Sequence, residues 1–374
     1  MKEQEGDTMK VLILSSKASS LMQFRADLII DLVANGHEVI AAAPEEECNW
    51  KDRVAAWGAK YSSFYLERTG LNPISDLRGL GSILKLIKKE KPDIVFTYQA
   101  KTIIYGCTAA WLCGVPSINA LLAGLGSAFR SKDRKLLKRI LCLQYKFALA
   151  RCRNVFFQNR DDLGEFLKAG IVSENKVTMI NGSGVNLENF TPQPIPDDDV
   201  FLFVGRLIRD KGLIEYMEAA RKVKSSYPTA QVKILGSFDT NPTAVEPSDL
   251  DPYIKDGSIE YLGETDDVRP YLKKCSVFVL PSYHEGTPKS ALEAMATERP
   301  IITTDAPGCR ETVIEGTNGF LVPAGDVDAL AEKMIWMIEH KDEAARMAKA
   351  SLEICREKFD VKKVNAVLLK TMGL

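Results

Sequence analysis

The segment 276-SVFVLPSYHEGTPKSALEAMA-296 holds a short apolar run, a polar loop and an amphipathic stretch of helical length, in that order. In the run Ser276–Leu280 the apolar side chains follow one another instead of alternating with polar ones, which is typical of a strand buried on both faces. Pro288 suits the first position of the helix that follows. A buried strand that leads into a helix is the repeating unit of a parallel α/β sheet, so this segment predicts that fold class.

The same pairing of a strand with a helix recurs along the whole chain. The first helix is expected over Leu21–Ala34, where Asn35 and Gly36 end it. These alternating segments predict two doubly wound Rossmann-like domains with parallel sheets. We expect the other strands at Lys10–Ser15, His37–Ala43, Asp93–Tyr98, Val115–Ala120, Asn154–Gln158, Phe201–Val204, Gln231–Leu235, Ile259–Leu262, Pro300–Thr304 and Phe320–Val322.

One segment interrupts the pattern and predicts the boundary between the domains. Thr191–Asp199 reads TPQPIPDDD, and this run of prolines and aspartates fits neither a helix nor a central strand. We therefore expect one domain over residues 1–192 and a second over 193–357. Ligands of such sheets bind at the carboxyl ends of the strands, so the two sheets are expected to face one cleft.

Composition and charge limit the location and the partners of the protein. Of the 374 residues, 45% are hydrophobic and 26% charged, and no apolar run reaches the roughly 18 residues that cross a bilayer. Residues 1–10 are polar and lack the apolar core of a signal peptide, so we expect a cytoplasmic protein. Residues 1–192 hold 26 Lys and Arg against 20 Asp and Glu, whereas the rest hold 23 against 30. This asymmetry predicts an anionic partner for the first domain.

Residues that bind metals are sparse. The eight cysteines form no C-x-x-C pair and there are only three histidines, so a metal site would have to rest on carboxylates. Asp197, Asp198 and Asp199 form a dense acidic group, but they lie in the predicted linker, where we expect a solvated run of charge. We therefore expect neither a metal site nor a disulfide framework.

The loop after the strand Phe201–Val204 carries charges that suit a diphosphate. Gly205 ends the strand, and Arg206 and Lys211 stand five residues apart before a helix expected to begin near Gly212. A diphosphate needs compact positive charge and the amides of a helix amino terminus. Arg206 can bind two oxygens at once, and Lys211 supplies a point charge. Taken alone, the pattern also fits a solvated surface turn.

Two glutamates of the opening segment complete a candidate site. Glu293 lies in the predicted helix among apolar residues, where a buried carboxylate is costly unless a specific partner such as a ribose diol donates hydrogen bonds to it. Glu285 lies in the loop, from which it would reach the hydroxyls of a sugar. The segment between them would face the phosphates or the sugar, and it consists of Gly286, Thr287, Pro288, Lys289 and Ser290.

Together these motifs closely resemble the family 4 retaining glycosyltransferases, which have the GT-B fold. Two marks are Gly-Arg-x₄-Lys-Gly at 205–212 and the two glutamates eight residues apart in a strand–loop–helix context. Further marks extend the resemblance over essentially the whole chain, and these are Asn181–Phe190, Pro307–Glu311 and Asn318–Pro323. The resemblance also implies that a last helix, near 358–374, returns to the first domain.

The resemblance implies a role for each candidate residue. Arg206 and Lys211 would neutralise the leaving diphosphate of the donor, expected to be a UDP-sugar, while Glu285 holds the sugar and Glu293 the ribose. The family transfers with retention and without an enzyme nucleophile. Two cations and a helix amino terminus would stabilise the leaving group without a metal ion or other cofactor. The nucleobase would sit on backbone groups at two turns, those of Gly236 and Leu262.

Two places depart from the family pattern. Many members have a glycine pair after the first strand, where this chain has 16-SKASS-20. We expect Ser19 or Ser20 to cap the following helix, with the alternative that the amides of Ser16 and Ser19 face the donor phosphates. Gln99 stands near the position where many members have a histidine, and it is well placed to line the cleft.

Within the family, residues 124–129 and the segment after them resemble enzymes that extend polyprenyl-diphosphate-linked oligosaccharides or capsular glycans, such as N-acetylgalactosaminyltransferases. Residues 130–153 hold nine basic side chains and one acidic side chain, Asp133, with apolar residues between them. Such a helix can dock on an anionic membrane and meet a lipid diphosphate; the alternative is an ordinary helix packed on the sheet. We expect a polyprenyl-diphosphate-linked acceptor, peripheral contact with the inner face of the cell membrane, and no nucleic-acid partner.

Other functions fit parts of the pattern. A nicotinamide-dependent oxidoreductase needs G-x-G-x-x-G between a strand and a helix, and neither Ser15–Leu21 nor Gly205–Gly212 has that spacing. A sugar-nucleotide epimerase, a phosphorylase and a non-catalytic sugar-nucleotide binder stay open as alternatives. The side chains do not distinguish a hexose from an N-acetylhexosamine as the donor sugar.

Overall fold

A computed structural model of the chain describes residues 8–67, 70, 72–124, 135–240 and 243–374. The chain divides into two compact units, the first comprising Met1–Ser183 and Val364–Leu374 and the second comprising Gly184–Lys363. The first unit thus ends before the predicted linker, and the linker belongs to the second unit. Arg299 holds it there, because its buried guanidinium donates hydrogen bonds to the carbonyl oxygens of Gln193 and Pro194 at 3.0 Å each.

The first unit has, within its described residues, a seven-stranded parallel sheet of order β3-β2-β1-β4-β5-β6-β7. Its inner strands are buried on both faces, as their continuous apolar runs predict. The strands are β1 (Lys10–Leu14), β2 (Glu38–Ala43), β3 (Lys60–Ser63), β4 (Ile94–Tyr98), β5 (Ser117–Leu122), β6 (Asn154–Phe157) and β7 (Val177–Met179). The helices are α1 (Ala18–Phe24), α2 (Ala26–Ala34), α3 (Glu47–Ala55), α4 (Pro73–Glu90), α5 (Ala100–Leu112), α6 (Lys135–Ala150) and α7 (Arg160–Lys168).

The second unit has a parallel sheet with the strand order β10-β9-β8-β11-β12-β13, counted over its described residues. Both units therefore confirm the expected fold class. The strands are β8 (Val200–Val204), β9 (Gln231–Leu235), β10 (Glu260–Tyr261), β11 (Val277–Leu280), β12 (Ile301–Thr304) and β13 (Gly319–Val322). The helices are α8 (Leu213–Ser226), α9 (Pro247–Lys255), α10 (Arg269–Lys273), α11 (Lys289–Ala296), α12 (Val327–Glu339), α13 (Lys341–Ile354) and, after a π-helical turn at Cys355–Phe359, α14 (Val361–Met372).

The last helix, α14, carries the chain back to the first unit. Val364, Leu368 and Met372 recur at every fourth position, so they lie on one face of the helix. All three are buried in the same hydrophobic cluster as Val11 and Ile13 of β1. In the part of the chain that is described, no helix is both long enough and apolar enough to span a bilayer.

The start of the first unit differs from the sequence prediction. The helix expected over Leu21–Ala34 is two helices that are interrupted at Arg25, whose backbone has φ −131° and ψ 0°. The Arg25 side chain is buried and its guanidinium stacks 4.8 Å from the centre of the Tyr98 ring. Neither Ser19 nor Ser20 is the helix cap, because α1 already begins at Ala18. The Ala18 amide instead donates to the Glu45 carboxylate at 2.9 Å.

Candidate active site

Loops of the second unit share one edge of its sheet. β8 lies between β9 and β11, and β10 and β12 extend the sheet outward on either side. All these strands are parallel, so the loops that follow them leave from the same, carboxyl edge. The candidate residues predicted for this unit all lie in these loops or in α11, which begins beside them.

Glycines allow the ends of β8 and β9 to come very close together. A Cβ on Gly236, which has φ +156°, would lie 1.8 Å from the Gly205 carbonyl oxygen, so a side chain does not fit. The Gly236 amide donates to the Gly263 carbonyl at 2.8 Å, and the Tyr261 hydroxyl donates to the Gly236 carbonyl at 2.9 Å. The Leu262 amide donates to β9 at 2.9 Å. Backbone groups at these turns are thus held in fixed positions.

The loop 205–212 is held by the segment that follows β9. The Leu207 amide donates to the Ser237 carbonyl at 3.0 Å, and the Arg209 amide donates to the Thr243 carbonyl at 2.7 Å. The first bond belongs to a parallel bridge that continues the pairing of β8 with β9, and the second belongs to an antiparallel bridge between Ile208 and Ala244. The backbone that carries the two predicted cations is therefore fixed by the neighbouring loop.

Lys211 and Glu285 form an ion pair between the Nζ and Oε1 atoms, although 74 residues separate them in the chain. The Lys211 side chain is 18% exposed and that of Glu285 is 13% exposed, so solvent screens the attraction less than at an open surface. The structure thus brings together two of the three residues that were predicted to be catalytic.

Arg206 is the third of these residues, and it pairs with a different acid. Its Nη1 atom lies 2.8 Å from Oδ2 of Asp239, which follows β9 and is largely buried. The Arg206 side chain itself is half exposed. One nitrogen of the guanidinium faces Asp239. The planar guanidinium has N–H donors along more than one edge, so another edge can bind a second anion.

The backbone around Glu285 is fixed by the loop that follows β12. The Glu285 amide donates to the Pro307 carbonyl at 2.9 Å. Gly308, with φ +77°, packs so closely that a Cβ would lie 2.3 Å from the carbonyl oxygens of both Glu285 and Gly286. Cys309, next in the chain, is buried, and burial raises the pKa of its thiol to about 12.

Glu293 lies on α11 with its carboxylate largely buried. Burial raises the pKa of this carboxyl to about 7, against a lowering effect of Lys289, whose Nζ lies 3.7 Å away. Pro288 is not the first helical residue that the sequence predicts. It occupies the position before α11, with φ −70° and ψ 109°, and the helix begins at Lys289. The first turn of α11 therefore starts at Lys289 and Ser290, directly after the loop residues Gly286 and Thr287.

The loop after β1 belongs to the first unit and is organised by Gln99. The Ser16 amide and hydroxyl donate to Oε1 of Gln99 at 2.7 and 2.8 Å. Gln99 itself has the unusual backbone angle φ +76°. The Ser16 amide is thus already bonded to Gln99, which weakens the expectation that it faces donor phosphates, and Ser19 lies within the first turn of α1.

Both halves of the chain match known protein families. Residues 198–340 match the family model described as "Glycosyl transferases group 1", and residues 10–159 match "Glycosyl transferase 4-like". The chain is 31% identical over 282 residues to the UDP-Gal:alpha-D-GlcNAc-diphosphoundecaprenol alpha-1,3-galactosyltransferase of Escherichia coli. The matched region covers 72% of each chain. The chain belongs to the family 4 glycosyltransferases.

This glycosyltransferase also resembles a second transferase over nearly its whole length. It is 27% identical over 357 residues to the N,N'-diacetylbacillosaminyl-diphospho-undecaprenol alpha-1,3-N-acetylgalactosaminyltransferase of Campylobacter jejuni. The matched region covers 91% of this chain and 92% of that protein. Its fold matches the crystal structure of Anabaena Alr3699/HepE in complex with UDP at a TM-score of 0.78, with 17% identity over 98% of this chain and 100% of that one. These relatives give no support to the epimerase alternative.

Sequence reasoning missed several residues that organise the site of the glycosyltransferase. Asp239 follows β9 with no motif that marks it, and only the fold places it against Arg206. Tyr283 and Glu215 were also missed; the Tyr283 hydroxyl donates to Oε1 of Glu215 at 2.6 Å. Among the described residues, no group of three or more His, Cys, Asp or Glu could hold a metal ion. In the predicted linker, Asp199 pairs with Lys341 at 3.1 Å.

Proposed function

We propose that this glycosyltransferase moves a hexose or an N-acetylhexosamine from a UDP-sugar to a polyprenyl-diphosphate-linked sugar, with retention of the anomeric configuration. The observation that carries the proposal is the Lys211–Glu285 ion pair at the carboxyl edge of the second sheet. An ammonium beside a carboxylate, next to a helix amino terminus, suits a donor that combines an anionic leaving group with a neutral sugar.

Each group in the site has a proposed part in donor binding. Lys211 has three N–H donors, so it can hold both Glu285 and a phosphate oxygen, and Arg206 binds the diphosphate with the edge that Asp239 leaves open. Glu285 accepts from the hydroxyls of the donor sugar and Glu293 from the ribose. Backbone groups of Gly205, Gly236 and Leu262 seat the nucleobase and ribose, and the start of α11, from Gly286 to Ser290, faces the phosphates.

The proposed transfer needs no enzyme nucleophile and no metal ion. The bond between the anomeric carbon and the diphosphate oxygen breaks, and the acceptor hydroxyl oxygen forms its bond to the same carbon on the same face. The hydroxyl proton passes to the departing diphosphate oxygen. Arg206 and Lys211 stabilise the negative charge that develops on this leaving group, and the orientation of donor and acceptor supplies the rest.

The names of the two relatives support the choice of substrates. The E. coli protein is named for UDP-Gal as its donor, and both proteins are named for diphospho-undecaprenol acceptors. The two names differ in the transferred sugar, galactose in one and N-acetylgalactosamine in the other. We therefore propose the class of donor and acceptor and not one particular sugar.

A surface of the first unit supports contact with a membrane. We call it the α5–α6 surface. Leu136 is 71% exposed and Leu143 68% exposed, and the exposed residues of α6 recur at the spacing of one helix face. The face of α6 that does pack on the core is a different one, with Tyr145, Ala148 and Leu149. The exposed large apolar residues of the α5–α6 surface are Trp111, Leu112, Leu136, Ile140, Leu143 and Phe147.

The charge of the α5–α6 surface points to an anionic bilayer as the occupant. Helix α6 contains no Asp or Glu. Arg151 stacks 4.5 Å from the centre of the Trp111 ring and 4.9 Å from that of Phe147, so a cation sits directly on the apolar side chains. Lys138 and Arg139 line an adjoining cavity of about 600 Å³. Tryptophan and basic residues beside an apolar stripe suit the interface of a membrane with water.

We propose peripheral attachment to the inner face of the cell membrane through this surface. Part of the predicted basic segment, residues 130–134, lies outside the described residues, as do residues 125–129 of the motif before it. The proposal therefore rests on α5 and on α6 from Leu136 onward. A lipid-linked acceptor would be present in the same membrane, so attachment would raise its local concentration.

The proposed function is tested by assaying product formation. Purified protein is screened for stabilisation by nucleotide sugars in thermal shift, and the stabilising donors are then incubated with synthetic polyprenyl-diphosphate sugars. We expect transfer from a UDP-sugar, and an NMR spectrum of the product in which the new linkage keeps the α configuration of the donor. An inverted linkage would contradict the retaining mechanism. Binding without transfer to any acceptor would support the non-catalytic alternative.

A further inference from the structure

One hydrogen bond connects the loop that carries Glu285 to the helix that follows the loop of Lys211. The Tyr283 hydroxyl donates to Oε1 of Glu215 at 2.6 Å. Tyr283 lies two residues before Glu285, and Glu215 lies in the first turn of α8, four residues after Lys211. The bond therefore ties the loop after β11 to the helix that anchors the loop after β8.

Backbone contacts join the same two loops at Asp210, the residue before Lys211. The Tyr283 amide donates to the Asp210 carbonyl at 3.0 Å, and the Ser282 hydroxyl donates to the same oxygen at 3.1 Å. A Cβ on Gly212, with φ +68°, would lie 2.0 Å from the Pro281 carbonyl oxygen. The two loops thus touch along their backbones, and the Tyr283–Glu215 bond adds a side-chain link at the edge of this contact.

Two further features of the structure concern the ends of the Tyr283–Glu215 bond. A Cβ on Gly325 would lie 3.0 Å from the Tyr283 hydroxyl oxygen, so the loop before α12 packs against one side of the ring tip. The second carboxylate oxygen of Glu215, Oε2, is buried and has no hydrogen-bond partner among the described residues. The orientation of the Glu215 carboxylate therefore depends on the bond that Tyr283 donates to its other oxygen.

We propose that Tyr283 and Glu215 are positioning residues for the Lys211–Glu285 ion pair, an inference that rests on the proposed function of that pair. Neither residue need contact the donor. By joining the two loops, they hold the ammonium and the carboxylate at the separation that the transition state requires. A small misplacement of such groups slows the chemical step more than it weakens binding.

The substitution Tyr283→Phe removes only the hydroxyl and keeps the ring, which is itself partly exposed. We expect kcat to fall about tenfold, the effect of one hydrogen bond to a charged group, while the Kd for UDP by calorimetry changes less than about twofold. The matched control is Tyr227→Phe, because the Tyr227 hydroxyl donates to Glu339 in the same unit, outside these loops. The control is expected to keep the kcat of the wild type.

A second pair of variants separates positioning from a general loss of structure. Glu215→Gln keeps a carbonyl oxygen that accepts from Tyr283, so we expect it to retain most of kcat, whereas Glu215→Ala loses as much as Tyr283→Phe. The double variant Tyr283→Phe/Glu215→Ala should be no slower than either single variant, since both remove the same bond.

The outcomes distinguish this inference from the proposed function. If the wild type transfers sugar and Tyr283→Phe has the same kcat as Tyr227→Phe, the positioning role is wrong and the transferase assignment stands. A fall in kcat accompanied by an equal weakening of UDP binding, or by a lower Tm than that of Tyr227→Phe, would also overturn it. A wild type that transfers no sugar would contradict the proposed function itself.

Discussion

The ammonium of Lys211 and the carboxylate of Glu285 neutralise each other in the structure, so each substitution removes a group and also leaves its partner uncompensated. We expect Lys211→Ala and Glu285→Ala each to lower turnover at least about a hundredfold, the effect typical of losing one group that stabilises charge in a transition state. The measurement is single-turnover transfer from a saturating UDP-sugar. Because the two side chains act as one unit, the double variant should lose much less than the product of the single effects.

A matched control for Lys211 exists in the same unit. Lys222 and Asp328 form an ion pair between α8 and α12, but both side chains are well exposed. An exposed pair contributes little to stability, so Lys222→Ala should keep the turnover of the wild type. If both single variants, Lys211→Ala and Glu285→Ala, kept full activity, the donor site would lie elsewhere.

Glu293 should make stability depend on pH in a specific direction. Burial raises the pKa of its carboxyl from about 4.5 to about 7. Between these values the folded protein keeps a proton that the unfolded chain has lost, so unfolding releases a proton and rising pH favours it. We therefore expect the contribution of Glu293 to the free energy of unfolding to fall as pH rises from about 4.5 to about 7, and to stay level above that.

The measurement is urea unfolding at several pH values for the wild type and Glu293→Gln. The amide does not titrate, so the difference in free energy of unfolding between the two proteins should change by up to about 3 kcal/mol across this window, at about 1.4 kcal/mol for each pH unit. Glu353→Gln, an exposed site on α13, is the control and should follow the wild type at every pH. A difference that is constant with pH would show that the Glu293 carboxyl titrates normally.

The role of a side chain can be predicted from the sequence when the residues around it in the chain form a recognisable motif. Lys211 and Glu285 each lie in a recognisable loop motif, and the resemblance of these motifs to a family assigned both to one donor site, although it did not predict their ion pair. Asp239 and Tyr283 have no such motif, because their roles arise only where parallel strands bring separate loops to one edge of the sheet. The predicted start of α11 at Pro288 differs by one residue from the observed start at Lys289, which is an ordinary error for the end of a helix.

Helix α6 has features of both predictions that the sequence leaves open. Some of its apolar residues are buried in the core, and four others lie on the exposed face. We expect Lys138→Glu/Arg139→Glu to weaken co-sedimentation with vesicles that contain anionic lipid. Each reversal replaces an attraction of about 1 kcal/mol near such a surface by repulsion. Leu143→Ser/Phe147→Ser should weaken it on anionic and neutral vesicles alike.

The control for charge is a reversal of the same size on another helix. Lys51 and Arg53 are exposed on α3, which packs beside the edge strand β3, whereas α6 packs on α5. Lys51→Glu/Arg53→Glu changes the net charge of the protein equally and should leave vesicle binding close to that of the wild type. If both reversals weakened binding to the same degree, the attraction would come from overall charge and not from the α5–α6 surface.

The elements that the sequence predicted best are those buried on both faces. β8 and β11 lie within one residue of their predicted bounds, because a continuous apolar run is stable only where both of its faces are covered. β3 and β7 were missed, and both are edge strands of the first sheet. Partly exposed edge strands such as KYSS carry polar residues and lack the apolar signal. The break at Arg25 was missed because a buried arginine looks like a surface residue of an amphipathic helix.

For the molecule as a whole, the distribution of charge sets a requirement on the donor site. Residues 193–374 carry 23 basic against 30 acidic side chains, yet this part of the chain is proposed to bind a polyanionic nucleotide. The long-range field of these residues therefore does not favour the donor, and local cations and helix amides must supply the attraction. This makes the site depend strongly on Arg206 and Lys211, and it gives the basic first unit a separate role toward lipid.

The requirement for metal follows from how the acids of the site are used. A magnesium ion at the diphosphate would need carboxylates, and two acids of the proposed site, Asp239 and Glu285, each already hold a cation. Recruiting them would release Arg206 and Lys211 from their orientation. We expect turnover in EDTA to be within about twofold of turnover in Mg²⁺ or Mn²⁺, since the two side-chain cations stabilise the leaving group as a metal would. Added Mg²⁺ should not rescue Lys211→Ala. Loss of activity in EDTA that returns with Mg²⁺ would contradict this and would place a metal ion against the diphosphate.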